Sequence, residues 1–249
     1  NFALEKIKHY HRISKAPGSE NRKYIHGWLN RTYEIFDGFY EMDDLKRIIQ
    51  KTSSDGKTGP KNMDGDGITT LVAFHECPLR CAYCINAQCF KESPECKLTV
   101  DKLIERLMPD NIYFLATGGG VTFGGGEPLL YADFISEFTR KMPEEWKITI
   151  ESSLNVPNKN IFKVAQFADL LVIDIKDMDE FIYKQYTGKD NSFVLANLKW
   201  LVDNGYADKT IIRIPLIKNY NNKSNQIKSR EILESIGFSR FDIFRYVIK

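Results

Sequence analysis

No apolar run in the 249-residue sequence approaches the ~20 residues that a membrane-spanning helix needs, so no span is expected. The opening stretch "NFALEKIKHY" is charged and mixed, and it has no secretory hydrophobic region. Charge of one sign is scarce as well. Lys and Arg number 35 against 33 Asp and Glu, a net charge of +2, so no strong field directs the chain to nucleic acid or anionic lipid. Histidine is rare, with four in all and none after His75. Cysteine is nearly as rare, at five. An odd count with three clustered argues against the disulfide framework of a secreted domain, and a reducing, cytoplasmic setting is expected.

At 43% hydrophobic, the chain can bury one large core or two small ones. Residues 1–60 stand apart: Phe2 to Ile13, Tyr24 to Phe39 and "MDDLKRIIQK" (42–51) suit helices, followed by a polar, Gly-rich loop over 52–67. From Gly67 onward the pattern alternates. Strands are expected at 68–76, 120–123, 147–153, 169–177, 209–217 and 241–248. Helices are expected at 99–108 (Thr99 as N-cap), 129–142, 158–168, near 178–186 and 192–204, and at 225–237. Alternation of this kind implies a parallel sheet with covering helices. Six units are too few for a closed eight-stranded barrel. The expected fold is therefore α/β, a partial (β/α)6 barrel over 61–249 with an N-terminal helical extension over 1–60. Ligands then belong at the C-terminal ends of the strands.

The stretch "HECPLRCAYCINAQCF" (75–90) follows the first expected strand and carries Cys77, Cys81 and Cys84 at spacing C-x3-C-x2-C. Three thiolates can hold zinc or an iron–sulfur cluster. Structural zinc wants four ligands, usually in two C-x2-C-like knuckles, and neither Cys89 nor Cys96 makes a second such pair. Three ligands on a four-iron cluster leave one iron open, which chemistry requires and a structural site avoids. A catalytic cluster therefore leads. A zinc-stabilised binding module is the rival, and Cys89 and Cys96 read as ordinary thiols.

With Tyr83 before its last cysteine, this motif resembles the signature of the radical S-adenosylmethionine superfamily. Three further stretches resemble the glycyl-radical-enzyme activating enzymes: "DGDGI" (64–68), "GGGVTFGGGEPLL" (118–130) and "DIK" (174–176). Order and spacing match over about 64–248. The resemblance implies a 4Fe-4S cluster on Cys77, Cys81 and Cys84, whose open iron is chelated by S-adenosylmethionine. It also implies reductive cleavage to a 5′-deoxyadenosyl radical and hydrogen abstraction from a backbone glycine of a partner glycyl radical enzyme. A flavodoxin- or ferredoxin-type protein would donate the electron to a monomeric enzyme. Tyr83 is then placed beside the adenine, and Gly125, Gly126 and Glu127 beside the methionine amino group. Asp174 and Lys176 are placed at the ribose and carboxylate, and Asp64 beside the substrate glycine's backbone. Glu151 and Asp174 would share a monovalent cation.

The residues also support plainer readings of these positions. "GGGEP" (124–128) suits a tight strand-to-helix turn. Asp174 and Lys176, at i and i+2 on a strand, share one face and can pair with each other. Arg213, mid-strand in "KTIIRIPLI", calls for an anionic partner, either Glu151 or a ligand carboxylate. The sequence departs from the activase pattern at Asp66, Thr69, Gly124 and Ile85. The last strand lacks the family's histidine, which leaves Arg245 or Tyr246 to replace it. These departures leave the cofactor chemistry standing and keep a second substrate class open, another peptide or a small metabolite.

Overall fold

The computed structural model describes residues 67–90 and 98–246. The helices and loop expected within 1–66, the 1–60 extension, Asp64, Asp66 and Cys96 lie outside the described residues. Within them, six strands form one sheet: β1 (Thr69–Phe74), β2 (Gly120–Gly125), β3 (Lys147–Ser152), β4 (Leu170–Asp174), β5 (Thr210–Leu216) and β6 (Phe241–Arg245). Every neighbouring pair is parallel and the spatial order is the chain order, with β1 and β6 at the two edges. The sheet is an open, partial barrel, as the alternating pattern predicts.

The connections are helical: α1 (Val100–Leu107), α2 (Asn111–Thr117), α3 (Ala132–Lys141), α4 (Asn158–Val164), α5 (Glu180–Thr187), α6 (Ser192–Asp203) and α7 (Lys223–Ile236). Local chemistry sets their ends. Thr99 caps α1 by accepting from the Lys102 amide, Asp179 caps α5 from Phe181 and Ile182, and Asn222 with Asn225 builds a reciprocal cap on α7. The stretch 109–119, to which the sequence pattern assigns no element, contains α2, which stops at Gly118 in the left-handed conformation with φ 68°.

Strand residues alternate between two environments. On the outer face Val72, Val121, Phe123, Ile148, Ile150 and Ile173 pack under the helices with Leu103, Phe114, Phe138 and Trp146. The inner face carries Thr122, Thr149 and Val172, and charge at Glu151 and Asp174 near the C-terminal ends of β3 and β4, level with Arg213 and Asp242 on β5 and β6. An apolar outer face and a polar upper inner face give the sheet a hydrophobic anchor and a site.

Candidate active site at the cysteine loop

The chain leaves β1 at Phe74 and turns at Glu76, whose φ of 60° is unusual for a residue with a side chain. The Gly126 amide then donates to the Phe74 carbonyl at 2.8 Å, and the Glu127 amide to the Glu76 carbonyl at 2.7 Å. These bonds seat the β2 turn against the start of the cysteine loop. A Cβ on Gly126 would stand 2.0 Å from the Glu76 carbonyl oxygen, and one on Gly125 (φ 88°) 2.8 Å from Ala73. Both glycines are therefore required by the approach of the chain to itself. Asn86 completes this seam by donating to the Gly125 carbonyl at 2.7 Å.

The far side of the loop rests on the end of α5. The Arg80 amide donates to the Thr187 carbonyl at 2.8 Å and the Ala82 amide to the Tyr186 carbonyl at 3.0 Å. Those carbonyls belong to the last turn of α5, which has no intrahelical donors for them. The Tyr83 phenol accepts from Asn219 at 3.2 Å, and its ring meets Tyr220 edge-on at 5.6 Å. Cys77, Cys81 and Cys84 are all partly exposed, whereas Cys89 is buried.

Burial and the nearby Glu127 carboxylate push the Cys77 thiol up to about 12. Burial also raises Cys81, opposed by Lys176. Lys176 is half-buried, and desolvation disfavours its charge, but Asp174 with Cys81, Tyr186 and Tyr246 together hold it above its ordinary value. A fixed cation beside Cys81 offsets the negative charge that bound thiolates bring.

Glu127 is 1% exposed, and both its oxygens are occupied. Oε1 accepts from the Leu129 amide at 3.2 Å and Ser152 Oγ at 2.7 Å; Oε2 accepts from the Ser153 amide at 3.0 Å and Ser153 Oγ at 2.6 Å. The side chain ties the end of β2 to the end of β3. Along the inner wall, Lys176 pairs with Asp174 at 3.2 Å, and Arg213 reaches Glu151 and Asp174 at 3.3 Å each and Asp242 at 3.8 Å. Arg213 thus has the Glu151 partner that its position calls for. Asp174 and Lys176 share one face, as their spacing requires, and form the strand-end pair.

The donor set fits an iron–sulfur cluster. Three thiols stand on one braced loop at the C-terminal end of the sheet, with the half-buried Lys176 beside them. Among the described residues no group of three or more His, Cys, Asp or Glu side chains is arranged to hold a single metal ion. Several residues of this constellation are not singled out by motif: Ser152 and Ser153 on Glu127, Tyr186 and Thr187 under the loop, and Asn219. Serines just past a strand end were the one available signal.

These features make a candidate iron–sulfur site on a partial barrel, and comparison supplies the class. The chain belongs to the radical SAM superfamily, whose family model matches residues 71–227. Membership brings with it a 4Fe-4S cluster and S-adenosylmethionine. More narrowly, the chain is similar to the pyruvate formate-lyase-activating enzyme of Staphylococcus aureus, with 31% identity over 194 residues that cover 74% of this chain and 76% of the relative.

Solved structures agree on the fold. Streptococcus suis SuiB bound to S-adenosylmethionine superposes with a TM-score of 0.58 at 17% identity over 92% of this chain and 52% of SuiB, so the chain spans about half of that protein. A radical SAM methyltransferase from Sphaerobacter thermophilus gives 0.52 at 14% identity, over 71% of this chain and 66% of the other. Among the described residues no helix is long and apolar enough to cross a membrane.

Proposed function

We propose that this radical SAM enzyme activates a partner glycyl radical enzyme by abstracting a hydrogen atom from one backbone glycine. The observation that carries the reading is the similarity to a pyruvate formate-lyase-activating enzyme over three quarters of both chains. With one electron from a flavodoxin- or ferredoxin-type donor, the bound cluster and S-adenosylmethionine supply a 5′-deoxyadenosyl radical. Cys77, Cys81 and Cys84 hold the cluster, and Lys176 balances its charge. Tyr83, Gly125 and Gly126 line the cofactor, and Glu127 holds the turn that carries them. Asp174 and Arg213 meet its polar groups from the wall, with Glu151 orienting Arg213. Asp64 accepts amide N–H groups of the substrate peptide. A glycine suits the chemistry because no side chain blocks approach and both flanking amides stabilise its Cα radical. Among the described residues the sheet is open between β1 and β6, which suits entry of an extended polypeptide.

The test is electron paramagnetic resonance after anaerobic reaction of reconstituted enzyme, S-adenosylmethionine and the candidate partner. A glycyl-radical doublet on the partner is expected. Robust turnover of a small metabolite, with no protein radical, refutes the substrate and leaves the radical chemistry intact.

A further inference from the structure

The sheet is open between β1 and β6, yet the end of β6 touches the cysteine loop. Tyr246 is anchored by its amide, which donates to the Leu216 carbonyl at 2.9 Å and so extends the β5–β6 ladder. From there its phenol donates to the Tyr83 carbonyl at 2.6 Å. Tyr186 receives the Ala82 amide on its backbone carbonyl. The limb Ala82–Tyr83–Cys84 is therefore gripped from two elements, the end of α5 and the end of β6, and Cys81 and Cys84 flank the grip. The Cys84 amide, donating to Cys81 at 3.1 Å, carries the constraint to both thiols.

We propose that Tyr246 is a positioning residue that locks the Cys81–Cys84 limb against the last strand and so sets how the cluster is held. The toward-cluster part rests on the reading above; the lock itself does not. Losing the Tyr246 hydroxyl frees one side of the limb while the ring still fills its place.

The test is Tyr246→Phe in the full chain, read by amide hydrogen exchange on metal-free protein and by paramagnetic resonance on the reconstituted, reduced protein. The reading is the exchange rate at Ala82 divided by that at Phe123 in the core of β2. One hydrogen bond lost predicts a rise of about five- to tenfold in this ratio. A changed line shape of the reduced cluster and faster iron loss in air are expected alongside. Ile243→Thr, an exposed change on the same strand, should leave all three readings as they are. A ratio within about twofold of wild type overturns the proposal, and so does a uniform rise at both amides, which marks global destabilisation. An altered ratio with an unchanged cluster spectrum overturns its second half. Because exchange is read without cofactor or partner, a failure here is distinct from a failure of the proposed substrate.

Discussion

Glu127→Gln is the smallest change that tests how the site is assembled. Each of the two carboxylate oxygens accepts one backbone N–H, from Leu129 at 3.2 Å and from Ser153 at 3.0 Å. A glutamine keeps the shape and one oxygen. Whichever way its amide turns, the NH2 group faces a backbone N–H, and donor meets donor. The hydroxyls of Ser152 and Ser153 can rotate to help, but the orphaned backbone N–H cannot. Leaving one buried donor unpaired costs about 1–3 kcal/mol. At about 2 kcal/mol, and about 2–4 °C per kcal/mol for a chain of this size, the variant should melt about 4–8 °C lower. Thermal and urea unfolding of reduced, metal-free protein, followed by circular dichroism, measures this. A glutamine variant as stable as wild type would mean that the carboxylate is not a structural acceptor, and that its oxygens are free for a ligand instead.

Further outcomes follow from the same geometry. Cys→Ala at Cys77, Cys81 or Cys84 should abolish S-adenosylmethionine cleavage, and Cys89→Ala should leave iron binding at about four per chain, as metal analysis after anaerobic reconstitution will show. Arg213→Met leaves the Glu151, Asp174 and Asp242 carboxylates facing one another without the shared guanidinium; the part-buried group should lose about 2–4 kcal/mol, partly regained in the double variant with Glu151→Gln. The Cys77 thiol, raised by burial and Glu127 from 9.0 to about 12, keeps its proton longer in the fold than in the unfolded chain. The metal-free protein should therefore lose stability as pH rises above 9.0, and urea midpoints for Cys77→Ala should fall less steeply there. Asp64→Ala should weaken peptide turnover and spare uncoupled S-adenosylmethionine cleavage.

The fold was legible because each strand is a short apolar, β-branched run bounded by polar turns, as in "DLLVIDIKD" and "KTIIRIPLI", and the period changes cleanly at each helix. α2 escaped because "NIYFLAT" is short and aromatic, and its helical state comes from packing Phe114 against Trp146. The cysteine half of the candidate site stands out in the sequence because cysteines at fixed spacing advertise themselves. The supporting half does not. Gly125 and Gly126 look like ligand-cradling glycines in sequence, but their tightest neighbours are Ala73 and Glu76 of the chain itself. The serines on Glu127 and the phenol on Tyr83 lie 25, 26 and 163 positions from their partners, and no local pattern carries such pairings.

That last distance bears on how the enzyme is born. The three thiols leave the ribosome before the carbonyls of Tyr186 and Thr187 that receive the loop amides, and before the hydroxyl of Tyr246 that closes on Tyr83. At about 5–20 residues per second, Tyr246 follows Tyr83 by roughly 10–30 s. Through that interval the cysteine loop gains its docking partners one by one, Gly125 first, then Tyr186 and Thr187, and Tyr246 last. Iron inserted then would meet a loop able to offer its sulfurs in any arrangement. Iron delivered afterwards meets a loop already braced from three sides, an arrangement that the finished domain alone supplies.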